Sequence, residues 1–428
     1  MNDADGWNRL HPLSPVVRGG RATIAIAILF LPTVLGGGRD QTRTIVDLVV
    51  VAVLVALGFV SWLVTRWRVD GDDLQIETGV LRRQSLRFPL SQLQAIDVVR
   101  PGLARLFRVA ELRLRMGGAS GKTARLAYLH EREVEPLRDR LLALARGAPA
   151  DEAPPPPVVE RHLLATVPTS RLVASILVSD VGIAAEFVLL GLVLGIVYAP
   201  SAAAGIGSGG AVWILSVFQL VWRRFNQEYR LSVAEVPDGL LLHGGLVALT
   251  SETIRPGRVQ AVRLVEPMVW RLLGWCRLEV DIAGRQRSEG EGQAQRRALR
   301  TILPVGSLAL AEELLDHLLP DRPRELSPPP RRARWKSPLR YPLLAWGRTP
   351  TCVAARSGRL RRATSWVPLE KVQSLRRVEG PVQRRLRLAT VHVDTAGRSV
   401  HTVIRDRDAG EADAVLEELV ASARAARR

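Results

Sequence analysis

Apolar positions in this chain follow two patterns, long uncharged runs and short alternating stretches. The runs are ATIAIAILFLPTVL at Ala22–Leu35, Ile45–Val64 with only Asp47 charged, Leu172–Tyr198 with only Asp180 and Glu186, and Ile206–Trp222 with none. About 20 apolar residues cross a hydrocarbon core of about 30 Å. The spacing therefore predicts two transmembrane hairpins, 22–35 with 45–64 and 172–198 with 206–222; the first and fourth runs are short and need flanking residues, tilt or a re-entrant path. A cleaved signal peptide at the first run is disfavoured, because no small-x-small site precedes a polar domain. Arg18, Arg21, Arg66, Arg68, Arg223 and Arg224 flank the runs, while the loop at 199–210 is uncharged. That asymmetry predicts a multi-pass cell-membrane protein with both termini and all polar domains cytoplasmic. On this reading Asp180 and Glu186 are intramembrane carboxyls, functional candidates by position.

The alternating stretches repeat. Blocks beginning at Val80, Leu246 and Arg359 align without a gap. Each follows a glycine (Gly79, Gly245, Gly358) and carries a glutamine at one spacing (Gln94, Gln260, Gln373). Farther along come a valine (Val99, Val265, Val378) and an arginine (Arg105, Arg271, Arg384). Triplicated spacing marks three copies of one unit. The glycines, placed between two short strands, predict turns with positive φ. Leu93–Ile96 and Val259–Val262 alternate as half-buried strands do, and so do Glu111–Leu114, Arg277–Val280 and Thr390–Val393. Amphipathic helices at about 131–145, 307–319 and 409–425 close the copies and supply a second layer.

The resulting fold class is membrane α + β: two transmembrane helical hairpins and three small β-barrel or sheet units, each closed by a C-terminal helix. The expected boundaries are 1–64 for the N-terminal segment and first hairpin, 65–146 for the first unit and 147–171 for a proline-rich linker. The second hairpin follows at 172–222, the second unit at 223–320, a basic proline-rich linker at 321–346 and the third unit at 347–428.

Glycine, strand, a Leu/Val-Gln-x-Ile/Val strand, an arginine-bearing turn, a strand and a closing helix, repeated between apolar hairpins, resemble the bacterial pleckstrin-homology-like membrane-flanked family, YdbT type. Arg9–Ser14 (RLHPLS) before the first run is also similar. The resemblance implies a pleckstrin-homology (PH)-like split barrel in each unit and a setting in envelope stress or resistance to membrane-active peptides. The third unit departs from the pattern, since only Tyr341–Trp346 precedes it in place of a hairpin.

Charge sharpens the picture. The net charge is +18, and Arg331–Arg428 supplies +13 of it. Such a surplus attracts polyanions; arginine-rich composition alone is the plainer explanation. Between Arg331 and Arg376 there are 12 Lys/Arg and one acid, with Trp335 among Arg331, Arg332, Arg334 and Lys336. A tryptophan within arginines suits an anionic lipid interface, and a solvated linker is the bland reading. Candidate contacts are Arg82, Arg83, Arg331, Arg332, Arg334, Trp335, Arg361, Arg362, Arg384, Arg385 and Arg387. Nucleic acid is disfavoured because no groove-reading motif is present.

No nucleotide, metal or nucleophile motif occurs, the seven histidines are scattered, and Cys276 and Cys352 are isolated, reading as small buried hydrophobes. No cofactor and no enzymatic activity are expected. The sequence favours a membrane-anchored interaction scaffold that binds anionic lipid, protein partners, a second copy or a small PH-like membrane protein. The alternative is a transporter or exporter subunit using Asp180 and Glu186.

Overall fold

The computed structural model describes residues 8–9, 66–70, 73–78, 84–100, 107–116, 123–145, 162–198, 216–237, 239–247, 249–282, 299–397 and 399–426. They form two compact units.

The first unit comprises residues up to Val159 together with Val247–Glu252. Its β1 (Asn8–Arg9), β2 (Arg66–Asp70), β3 (Asp73–Thr78) and β4 (Gln84–Pro89) make an antiparallel sheet in chain order. After a 3-10 turn at Leu90–Gln92 come β5 (Leu93–Arg100), β6 (Val109–Met116) and β7 (Thr123–His130), then α1 (Glu131–Ala145). Ile96 and Val98 on β5 and Leu112 and Leu114 on β6 turn inward at period two. They meet Trp67, Leu74 and Phe88 from the first sheet, with Val134 and Leu141 from α1. Also in this unit, Leu249, Thr250 and Ser251 pair antiparallel with Arg100, Val99 and Val98 on β5.

The second unit opens with β8 (His162–Thr166), α2 (Thr169–Leu177), α3 (Asp180–Tyr198) and α4 (216–228). Next come β9 (Ser232–Val236), β10 (Gly239–Gly244) and β11 (Leu249–Ile254), whose first residues count with the first unit. The second copy continues with β12 (Val259–Pro267), the short helix α5 (Met268–Leu272), β13 (Trp275–Ile282), β14 (Leu299–Ser307) and α6 (Leu308–Leu318). The linker carries α7 (Ala333–Lys336). The third copy has β15 (Ala345–Arg348), β16 (Cys352–Gly358), β17 (Arg361–Pro368), β18 (Val372–Val378), α8 (Pro381–Arg385), β19 (Leu388–Thr395), β20 (Thr402–Asp408) and α9 (Ala409–Ala425).

The second and third copies share a sheet of order β14-β13-β12-β17-β16-β15, while β18, β19 and β20 form a separate one. β16 serves two cores: Cys352 and Ala354 face one, Val353 and Ala355 the other. A strand covered on both faces is apolar at consecutive positions rather than alternate ones. For the same reason β12, expected to be half-buried over Val259–Val262, is buried there throughout.

The repeat is visible in the backbone. At one aligned position all three copies take a left-handed conformation, with φ of 52° at Arg108, 67° at Gly274 and 50° at Arg387. The repeat glycines are less uniform. Gly245 has the expected positive φ, 120°, whereas Gly358 is not among the positive-φ residues. Gly358 is needed for space instead: a Cβ there would strike the carbonyl oxygen of Arg361 across the tight turn.

The transmembrane hairpins and the multi-pass localisation are corrected. Among the described residues no single helix is long and apolar enough to cross a membrane. Thr169–Leu177 and Gly182–Gly191 reach that length and composition only as a pair, bent by 61°. The physical reason lies in the serines and in the core. Leu172 and Ile176 are buried with the β-strands of the second copy, so the start of the apolar run 172–198 is domain core. The Oγ of Ser179 donates to the carbonyl of Ile176 (2.6 Å) and accepts from the amide of Gly182 (3.2 Å), ending one helix and starting the next. The cytoplasmic assignment of termini and domains, which rested on these spans, falls with them. The runs 22–35 and 45–64, and 206–215 of the fourth, lie outside the described residues.

Candidate functional site

The basic segment before the third copy is not a free linker. Ser327 and Trp346 bridge by paired backbone hydrogen bonds (2.7 and 3.1 Å). Arg407 donates through Nη1 to the carbonyls of Ser327 (3.2 Å) and Pro328 (2.6 Å). Thr351 Oγ1 donates to the carboxylate of Asp321 at 2.7 Å. The segment is bound along the third domain from 321 to 346.

Its helical turn α7 docks at one corner. Arg332 forms an ion pair with Asp408 and donates to the carbonyl of Arg387 at 3.2 Å. Lys336 pairs with the buried carboxylate of Asp406, and Ser337 donates to the same carboxylate at 3.4 Å. Asp406 also accepts from Gln383 Nε2 on α8 at 2.7 Å, and that amide nitrogen reaches Thr390 Oγ1 at 2.8 Å. One carboxylate thus holds α7 and α8 to the same place. A buried carboxylate requires such donors, because an unpaired one costs several kcal/mol.

This docking groups most of the sequence candidates. Arg331, Arg332, Arg334 and Trp335 come from α7 and its approach; Arg384, Arg385 and Arg387 come from α8 and the turn after it. Trp335, next to Lys336, is 85% exposed, and Val382, next to Gln383, is 56% exposed. Leu339 is 63% exposed. Among the described residues Arg331, Arg334, Arg384 and Arg385 have no acidic partner within ion-pair distance. The corner thus presents uncompensated guanidinium groups beside apolar tips.

Other candidates fall elsewhere. Arg361 is exposed at the start of β17, opposite Pro267. Arg362 is engaged in an internal ion pair with Glu266. Arg82 and Arg83 lie outside the described residues. Asp180 and Glu186 are exposed on α3, and their intramembrane role falls with the spans. Cys276 and Cys352 are buried, and burial pushes both thiols up to about 12. Among the described residues no group of three His, Cys, Asp or Glu could hold a metal ion.

The sequence did not show Asp406, Val382 or Leu339 as parts of this corner, and it marked Lys336 only as a basic neighbour of Trp335. Asp406 carries a left-handed backbone, φ 55°, in the middle of a strand, which local pattern does not reveal.

Each copy runs as two consecutive sets of three neighbouring strands closed by a C-terminal helix, the arrangement of a PH-like domain. Residues 26–145 and 332–423 match the bacterial PH domain family, covering the first copy and the third with its corner. Bacterial PH domains are non-catalytic modules that bind lipids or proteins. No curated protein matches the chain.

Proposed function

We propose that the chain is an interaction module for anionic lipid surfaces and engages them through the corner built on Asp406. The carrying observation is Trp335, 85% exposed on a helical turn that is itself fixed by Lys336 and Arg332. An indole held out in water among arginines suits the headgroup region, where its ring is apolar and its N–H polar. Arg331, Arg334, Arg384 and Arg385 each add about 1 kcal/mol of attraction to an anionic leaflet. Three copies of the unit support the YdbT-type reading, and with it a setting in envelope stress or resistance to membrane-active peptides.

Vesicle flotation tests the reading. The full chain should bind phosphatidylglycerol-containing vesicles and lose binding as salt rises. Replacing the four arginines by glutamine should weaken it at least tenfold, and Trp335→Ala should weaken it at every salt concentration. Equal binding to neutral and anionic vesicles, or no response to the arginine replacement, would refute it.

A further inference from the structure

One strand pairing recurs in both units. β12, which follows a 3-10 turn at Pro256–Arg258 in the second copy, pairs antiparallel with β17, the third strand of the next copy. Val262 lies opposite Trp366, Leu264 opposite Thr364, and Glu266 opposite Arg362. In the first unit β5, aligned with β12, pairs with residues 249–251, aligned with 362–364 of β17. The register is the same: Arg100 aligns with Glu266, Leu249 aligns with Arg362, and Leu249 faces Arg100.

Two strands aligned with the paired ones have one edge left over. β18 aligns with β5 and β12 and ends the sheet β18-β19-β20; among the described residues no strand pairs with its outer edge. β4 aligns with β17 and ends the sheet β1-β2-β3-β4 in the same way. Burial agrees. Gln373, Ser374, Arg376, Arg377 and Val378 are exposed, whereas β12 is buried at all but Arg263. Ser85, Leu86 and Arg87 on β4 are exposed, whereas Thr364, Ser365 and Trp366 on β17 are buried.

We propose that β18 of one molecule pairs antiparallel with β4 of a second copy of this chain, continuing the internal junction. The register then sets Arg87 opposite Leu375, Leu86 opposite Arg376, Ser85 opposite Arg377 and Gln84 opposite Val378. Edge strands are commonly guarded by charge, and β18 carries two arginines. Both are turned to other work. Arg376 Nε donates to Asp394 at 2.8 Å on the neighbouring strand, and Arg377 pairs with Glu379 (2.6 Å) and with Asp413 of α9 (2.8 Å). Neutralised within its own domain, each leaves the outer edge at Leu375–Val378 to another strand. The contact is heterologous, since different edges meet, so it propagates into a chain or closes as a ring. This inference does not depend on the lipid reading.

Disulfide trapping tests it on the full chain. Ser85→Cys and Arg377→Cys chains, purified separately and mixed under mild oxidation, should give a covalent dimer absent from either alone. A Glu417→Cys chain, modified on α9 away from the edge, should not replace Arg377→Cys. Wild-type chain should show concentration-dependent mass in sedimentation. A mixture without dimer, equal trapping by Glu417→Cys, or a strictly monomeric wild type would overturn the proposal. So would a double variant that crosslinks only within its own chain.

Discussion

The carboxylate of Glu266 accepts two hydrogen bonds from Arg362, from Nε at 2.5 Å and from Nη2, where β12 of the second copy meets β17 of the third. The carboxylate is nearly buried and the guanidinium about a third exposed. The two-point geometry fixes register as well as charge.

Glu266→Ala strands the arginine at this junction and should cost about 2–3 kcal/mol, below the range for fully buried pairs because Arg362 keeps some solvent. Glu266→Leu with Arg362→Met should recover most of the loss, since an apolar pair of similar size replaces the ion pair. Urea denaturation of the two variants measures both effects. Arg362 variants should bind anionic vesicles as the wild type does; reduced binding in a folded Arg362→Met chain would show that the guanidinium is not confined to this pair.

How much of this was legible beforehand differs by scale. The triplication could be read because each copy spends the same residues at the same spacing, and the closing helices because their apolar faces recur at helical period. Sheet partnership could not be read: β12 meets β17 across a long separation, and local pattern does not specify a strand's neighbour. Hydropathy misplaced the run from Leu172, because Leu172 and Ile176 serve a β-core and the break at Ser179 depends on hydroxyl hydrogen bonds. The corner's arginines and Trp335 stood out by composition. The carboxylate that assembles them, Asp406, did not, since its role comes only from folding.

Asp281 and Gly397 form a second link between copies. The Asp281 carboxylate accepts from the amides of Ser399 (3.1 Å) and Val400 (3.4 Å), and a Cβ on Gly397 would collide with it. Gly397→Ala should destabilise by about 1–3 kcal/mol, the usual cost of overpacking. In an Asp281→Ala background the same change should cost much less, because the obstructing carboxylate is gone. A double-mutant cycle by thermal or urea unfolding measures the coupling, and additive costs would show that the collision is not the cause.

Glu279 should make the second unit sensitive to acid. Its carboxylate lies between Arg277 Nε (2.9 Å) and Arg263 Nη2 (2.5 Å), and Arg277 also reaches Glu228 on α4 at 2.5 Å. Burial alone would raise the Glu279 pKa. The charges and hydrogen bonds of Arg277 and Arg263 outweigh it and hold the group at about 2 rather than the ordinary 4.5. A lowered carboxylate pKa gives stability that is complete above the unfolded value and lost as pH falls through the folded one. The window therefore runs from about pH 4.5 down to about 2, and the contribution at neutral pH is on the order of 3 kcal/mol. Glu279→Gln should be less stable at pH 7 and should flatten the dependence on pH within that window. Chemical unfolding from pH 7 to 2 tests this: a variant whose profile parallels the wild type's would mean that other carboxylates govern acid unfolding, leaving the Arg277 network without its assigned role.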